Sequence, residues 1–532
     1  MKKNIIFLLL IFPCLLSAQE ALKSAEENYF EFLSLQGAAA RPALNYRTLS
    51  DSVWNIADNT EHLWQEQNLG VWRPLFGDFR LRIYGPQLYM SYNTAAPYGQ
   101  NDGVLWQGRG FNSSLKGGVR FEGYGLELTI LPHLAFSQNL EFDYIQPVYS
   151  GENYSGKAQD YGYYGVPSID APQRFGSKAF FDWDFGDSEI RYSWRTLTIG
   201  FGTQAIWLGP AQINPIILSN NAPAYPKLDI GLRRQSITLP KWNLHLGDVE
   251  FRIWWGYLSE SDWFDNDDSN NHNLLSGVSF AYSFPSIFKG LTVGVNRIML
   301  SKWDKLSFGS VFSLFNFNMD GSHIDDESDQ RTSIIIDYLL PIAGINIYFE
   351  WGINDATTSS NYLMSYPFHS RGYSLGVKKA FSFSNFLKGD ILLEITILES
   401  SRNFDLIWPT TFYAHHEITQ GHTNRGQWLG AGIGTGGNSQ FLGFNLYFPM
   451  GYGSFFIQRR NPDLDYTWFY NSSDGNFKSF WDFGISNLYY FTSNLSVFTS
   501  IIYSNEYNPF NDLSKTSYRN NFNFAASVKY SF

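Results

Sequence analysis

The 532-residue chain has a single cysteine, Cys14, and it lies inside an apolar N-terminal stretch. Lys2 and Lys3 form a charged start, Ile5 to Leu16 an apolar run too short to span a bilayer as a helix, and Leu16-Ser17-Ala18 a small-residue end before Gln19. This pattern predicts an export signal over residues 1–18, the competing reading being a buried N-terminal helix. Pro13 stands where a lipoprotein site wants Gly or Ala, which argues against a lipid anchor. Without residues 1–18 the chain has no thiol, so disulfides, thiol nucleophiles and Cys-based metal sites are excluded. A basic surplus is also absent. Removing Lys2 and Lys3 leaves 36 basic against 49 acidic residues, a formal charge of −13, which speaks against a nucleic-acid partner. Long hydrophobic runs are missing too. The longest contender, Ile334 to Phe349, is broken by Asp337, Pro341, Gly344 and Asn346.

What is abundant is aromatic side chains, 18% of the sequence, at a negative mean hydropathy of −0.23. That combination fits a transmembrane β-barrel. Its strands alternate lipid-facing and lumen-facing residues, and its Trp and Tyr gather at the two interfaces. Phe524, Ala526, Val528, Tyr530 and Phe532 share one parity, and a terminal strand ending in Phe532 has the form read by the barrel-insertion machinery. An ordinary half-buried strand is the alternative.

From about Leu75 onward the alternation recurs. Phe79, Leu81 and Ile83 alternate with Asp78, Arg80 and Arg82, and Phe181, Trp183 and Phe185 with Asp182 and Asp184. Ile190, Tyr192 and Trp194 alternate with Arg191, Ser193 and Arg195, and Val249 through Tyr257 with Asp248, Glu250 and Arg252. One face lies in hydrocarbon and the other in a polar lumen, where Arg80, Arg82, Arg191 and Arg195 can pair with Asp182, Asp184 and Glu250. Short turns (Phe284-Pro285, Leu340-Pro341, Phe383-Ser384, Phe448-Pro449) alternate with long polar stretches (Asp262–Asn273, Asn318–Arg331, Asp355–His369, Arg402–Asn424), the asymmetry of periplasmic turns and extracellular loops. Residues 19–72 read differently. A helix is expected from Ala21 to Leu35 and a second from Ser50 or Asp51 to about Gln67, capped by Ser50, with Val53, Trp54, Ala57, Leu63 and Trp64 on its apolar face. This region either plugs the periplasmic mouth of the barrel at 73–532 or packs loosely outside it.

Two blocks resemble a known family. One is Trp207-Leu208-Gly209-Pro210 followed by Ile216 to Pro223 and Tyr225-Pro226. The other is Tyr413-Ala414-His415-His416, then Gly421 to Gly426, Leu429-Gly430, Arg459-Arg460-Asn461 and Asp463. With Tyr29 to Pro42, they are similar to the capsule-assembly Wzi family across nearly the whole chain. The resemblance implies an all-β, antiparallel outer-membrane barrel of about eighteen strands with a small α-helical region on the periplasmic side. It also implies a non-catalytic lectin for capsular or extracellular polysaccharide, set among outer-membrane lipids and lipopolysaccharide. A porin or substrate channel is the alternative function, and an outer-membrane enzyme a third.

Each candidate site has a structural counterpart reading. In 207–226, Asn220, Asn221 and Ser219 have the chemistry to bind sugar hydroxyls, and Trp207 and Tyr225 to stack on a ring. The segment's prolines keep it from being ladder throughout, so a structured loop folded into or across the barrel is expected, whose Asn and Ser also suit its own backbone. In 413–426, His416, His422 and Arg425 suit an anionic polymer, or a loop hydrogen-bond network. No third ligand has metal spacing, so neither metal nor other cofactor is expected. Arg459 and Arg460 suggest ion pairs with Asp463 or Asp465. Asp265 to Asn271 begins like a calcium loop but lacks Gly at position six and Glu at position twelve. Gly372-Tyr373-Ser374-Leu375-Gly376 matches a nucleophile elbow in letters only. Tyr373, Leu375 and Val377 alternate as a strand with Ser374 toward the lumen, and no catalytic residue is assigned.

Overall fold

The computed structural model describes residues 17–19, 23–57, 60–147, 156–242, 244–285, 288–315, 328–354, 364–401, 411–465, 477–512 and 517–532. The expected export signal, Cys14 included, falls mostly outside these residues.

Eighteen strands run in chain order around one closed antiparallel barrel. They are β1 Arg80–Asn93, β2 Gly110–Gly123, β3 Leu126–Ile130 with His133–Ser137, β4 Phe180–Asp184 with Glu189–Trp194, β5 Leu197–Gly202 and β6 Lys227–Leu239. Next come β7 Leu244–Ser259, β8 His272–Ser283, β9 Leu291–Lys302, β10 Ser328–Leu340, β11 Ile345–Asn354 and β12 Arg371–Ser382. The last are β13 Lys388–Ile397, β14 Asn438–Phe448, β15 Gly451–Asn461, β16 Ser479–Tyr490, β17 Leu495–Tyr507 and β18 Tyr518–Tyr530. Strand β3 is interrupted at Leu131-Pro132, where proline cannot donate to the ladder, yet both halves pair with β2. Asn523↔Asn93 through Lys529↔Gln87 closes the cylinder, leaving no open edge between β18 and β1.

The burial pattern is inside out. Arg191 and Arg252 are 1% exposed and Glu350 and Asp390 0%, while Phe201 is 57%, Ile501 53% and Phe524 44% exposed. A water-soluble protein would pay for both choices. A barrel in an outer membrane gains from both, because lipid meets the apolar face and the polar face pairs in the lumen. Tight turns sit at one end. The Tyr124-Gly125 hairpin has φ 52° and 83°, and a Cβ at Gly125 would stand 2.3 Å from the Ser193 carbonyl oxygen. The longer connections, those between Ser137 and Phe180 and between Ile397 and Asn438 among them, join strand ends at the opposite end.

The lumen holds chain from both ends. Helix α1, Ala25–Leu35, starts where Ser24 Oγ accepts from the Glu27 amide at 3.1 Å. It caps the tight-turn mouth, with Tyr29, Phe30, Phe32 and Leu33 packed on Trp54, Trp64, Tyr447 and Tyr490. Trp64 stacks on Tyr29 at 4.1 Å and donates to the Phe448 carbonyl at 2.9 Å. Its truncation to Ala is expected to cost on the order of 3–5 kcal/mol of cap docking. Added protease should then cut the N-terminal segment of the variant while the barrel keeps its heat-modifiable mobility on a gel.

The second expected helix does not form. Residues Val53–Ile56 are a strand paired with Ala39–Ala40. Tertiary partners outcompete the helix cap: Ser50 Oγ donates to Glu189 at 2.8 Å and Asp51 receives Arg233 and Arg252.

The lumen charges do form a lattice, but with partners other than those expected. Arg191 bridges Glu189 and Asp229, Arg252 bridges Asp229 and Asp51, Arg120 bridges Glu122 and Glu127, and Arg80 takes Glu122. Arg82 donates to the Leu69 carbonyl at 3.2 Å and Asp184 accepts from the Ala224 amide at 2.9 Å, but Arg195 is not a lumen charge: it is exposed in the turn between β4 and β5, over the outward-facing Trp194. Among the described residues Glu250 forms no ion pair with an arginine. It accepts the backbone N–H groups of Leu44, Asn45 and Tyr46 at 2.7–3.0 Å. Of the two arginines expected to pair with Asp463 or Asp465, Arg460 pairs with Asp482 at 2.6 Å and Arg459 donates to Gln440 at 2.7 Å, while Asp465 accepts from the Ser400 amide at 2.8 Å.

Candidate functional site at the outer face

Segment 203–226 leaves β5 on the long-loop side and, of the two courses expected, into or across the barrel, turns inward. Two glutamates of the far wall fasten it. Glu394 accepts the amides of Gln212 (2.7 Å) and Asn214 (2.8 Å), and Glu350 that of Ile216 (3.3 Å). In mid-lumen the segment meets the N-terminal chain. Trp207-Leu208 pairs with Arg47-Tyr46, Asn45 Oδ1 accepts from the Gly209 amide at 3.0 Å, and Lys23 Nζ donates to Gln212 at 2.9 Å. A packed column thus joins the cap of one mouth to the loops of the other.

Above this column the segments 163–171, 206–225 and 412–433 share one apolar core with Trp254, Leu258, Leu275, Ile298 and Leu300 of the wall. This core consumes several expected sugar contacts. Trp207 is 0% exposed, donates its Nε1–H to the Ala211 carbonyl at 2.9 Å and lies beneath Lys23 and Arg47, so no ring can stack on it. His422 is fully enclosed against Tyr413, donating from Nε2 to the Ile217 carbonyl at 2.6 Å, and burial holds it neutral. Tyr225 is buried against Gly256. Asn221 spends its side chain on the Asn101 amide and the Trp428 carbonyl, both at 3.0 Å.

The remaining candidates are nearer the surface. The Asn220 carbonyl accepts from the Gly103 amide at 3.0 Å. His416 is exposed, its ring 4.6 Å from that of His415. Arg425 pairs with Asp182 at the edge of a cleft of about 680 Å³ that also presents Trp263 and Phe181. A second outer cavity, about 230 Å³, lies between loop 94–109 and segment 426–432. Tyr98, Gln100, Trp106, Gln427 and Trp428 line it, and none of them was singled out from sequence. The aromatic–amide clusters Tyr98-Gly99-Gln100, Trp106-Gln107 and Gln427-Trp428 were the available signal.

Ser374 lies within β12, buried toward the lumen. Loop 265–271 bonds to itself and to Thr419: Asp265 accepts from the Asp267 amide at 2.9 Å, and Asn270 donates to Thr419 at 3.0 Å. Among the described residues no group of three or more His, Cys, Asp or Glu is placed to hold a metal ion.

The outer loops are clipped together by buried carboxyls. Asp170 accepts from Ser261 N and Oγ, both at 2.6 Å, and Asp465 from Ser400 N at 2.8 Å and Oγ at 3.1 Å. Burial, opposed by these hydrogen bonds, pushes Asp170 and Asp465 each up to about 7, and burial beside Asp170 pushes Glu260 to about 10. A carboxyl raised on folding binds its proton more tightly in the folded state. Its contribution is therefore full below the unfolded value near 4 and is lost as pH rises to about 7. Amide exchange at 168–172 and 259–265, corrected for intrinsic rates, should be slower at pH 5 than at pH 8.

The sequence model of the family described as capsule assembly protein Wzi matches residues 136–454, more than half of the chain. No curated protein matches in sequence. Among solved structures, the barrel is similar to Wzi of Escherichia coli, described as a carbohydrate-binding outer-membrane β-barrel involved in group 1 capsule assembly. That likeness has a TM-score of 0.61 at 13% identity, covering 97% of this chain and 99% of that one. OpdQ of Pseudomonas aeruginosa (TM-score 0.38, 10% identity, 85% and 97% covered) and a BenF-like porin from Pseudomonas fluorescens Pf-5 (0.39, 9%, 86% and 99%) are too dissimilar to carry an argument. The family match spans most of the barrel and its inward loops, and the chain belongs to the capsule assembly protein Wzi family.

Proposed function

We propose that the chain holds a surface polysaccharide at the outer face of the outer membrane, in attachment or assembly of a capsule or exopolysaccharide, without catalysis and without serving as a diffusion channel. The observation that carries this reading is the packed column from Tyr29 and Trp64 through Tyr46-Arg47 and Trp207-Leu208 to the outer core. A porin spends its lumen on water, whereas this lumen is spent on positioning loops that carry aromatic and amide side chains outward. Membership of a capsule-assembly family and likeness to a barrel described as carbohydrate-binding support the same reading. Of the residues expected from sequence, Arg425, His416 and Asn220 stay in the proposed binding face, with Asn221 acting through Trp428. Outer-membrane lipid and lipopolysaccharide surround the apolar wall, and the insertion machinery engages the alternating strand β18 and Phe532 just after it.

Deleting the gene tests this. Polymer synthesis should continue while the cell-bound fraction falls several-fold and the released fraction rises. Unchanged retention of the polymer on the cells would contradict the reading.

A further inference from the structure

We infer that the outer cavity between loop 94–109 and segment 426–432 takes one uncharged pyranose residue of the held polymer. This rests on the polysaccharide-holding reading above and assigns its subsite and sugar class. The cavity, about 230 Å³, is below the roughly 300–1,000 Å³ of pockets that take drug-sized ligands, which suits a single ring rather than a stretch of chain.

Its lining has two chemistries. Tyr98, Trp106 and Trp428 supply flat apolar surfaces, matching the C–H face of a pyranose. Gln100 and Gln427 supply primary amides, which both donate and accept, as sugar hydroxyls do. Among the described residues, the buried Nε2 of Gln100 and Nε1 of Trp106 have no hydrogen-bond acceptor. The frame is held from behind. Asn221 receives the Asn101 amide and donates to the Trp428 carbonyl, and Gln427 Nε2 donates to the Gly103 carbonyl at 3.0 Å.

The charges exclude an acidic sugar. Arg460 is the cation in the lining, and its Nε is committed to Asp482 at 2.6 Å. Its guanidinium is stacked 4.0 Å from the Phe480 ring centroid and 5.3 Å from that of Tyr98. Asp102 is the acid in the lining, held by Gln107 at 2.8 Å. A uronate or sulfate entering here would face the Asp102 carboxylate and a guanidinium whose charge is already balanced by Asp482, so its own charge would be buried without a dedicated counter-charge.

The test uses the intact purified protein and the producing cell's own surface polysaccharide, native and after chemical reduction of its carboxyl groups to alcohols, with affinity read by calorimetry. The native and reduced polymers should bind within about twofold of each other, with little change over a tenfold range of salt. Gln100→Ala should weaken binding about tenfold, the loss of one hydrogen bond, with the melting temperature kept. Trp428→Ala should weaken it more. Loss of binding on carboxyl reduction, or unchanged affinity in the Gln100 variant, would overturn the neutral-sugar subsite and leave polysaccharide holding intact. Failure of the native polymer to bind at all would overturn both.

Discussion

Replacing Glu394 by Ala is expected to release the inward loop at 205–226 from the barrel wall. Its carboxylate accepts the amides of Gln212 at 2.7 Å, Asn214 at 2.8 Å and Ile213 at 3.2 Å, and the Tyr348 hydroxyl at 2.5 Å. These donors are buried or nearly so, and the loop offers no helix or ladder to take them up. Each hydrogen bond to a charged acceptor contributes about 1.5–3 kcal/mol, so the variant loses on the order of 4 kcal/mol after partial rearrangement. Glu394→Gln should fall between, because an amide oxygen accepts but its NH₂ confronts donors. Protease cleavage within 205–226 and current noise in planar bilayers read the effect. A variant as resistant and as quiet as the parent would show that the apolar core alone holds the loop.

The second large effect is expected at Asp229. It lies between Arg191 (2.5 Å) and Arg252 (2.6 Å), all three excluded from water, with Arg252 reaching on to Asp51 of the N-terminal segment at 3.1 Å. Asp229→Ala strands two guanidinium groups against one fewer acceptor, a loss of about 3–5 kcal/mol for a broken buried pair. Urea titration of the folded barrel in detergent should show it. Making the same change in an Arg252→Met background should cost distinctly less, since the second charge is then gone, and the difference gives the coupling between them. Equal costs in both backgrounds would mean that Asp229 acts on Arg191 alone.

The barrel was legible because its environment writes period two into the sequence. Phe251, Ile253, Trp255 and Tyr257 against Glu250 and Arg252 can be read without knowing any neighbour, and so can the Gly and Pro of the turns. The interior was less legible. Ser50 looked like a helix cap because the lumen acid that claims it, Glu189, is 139 positions away. Glu250 looked like half of an ion pair, yet its partners are backbone N–H groups, which no side-chain pattern announces. Trp207 was correctly placed in an inward loop but credited with a surface role. An aromatic beside Gly and Pro reads the same whether the loop presents it or swallows it. The aromatic–amide cavity was missed for the converse reason. Tyr98, Gln100 and Trp106 come from one loop and Gln427 and Trp428 from another, brought together only by barrel closure.

A column of packed chain fills the lumen, so the barrel is expected to hold its polymer and not to pass it. Single-channel recording of the intact protein in planar bilayers tests this most directly. A silent bilayer is expected for the parent chain, with openings appearing only when Glu394→Ala frees the inward loop. A steady, large conductance from the parent chain would contradict it and make the barrel a channel.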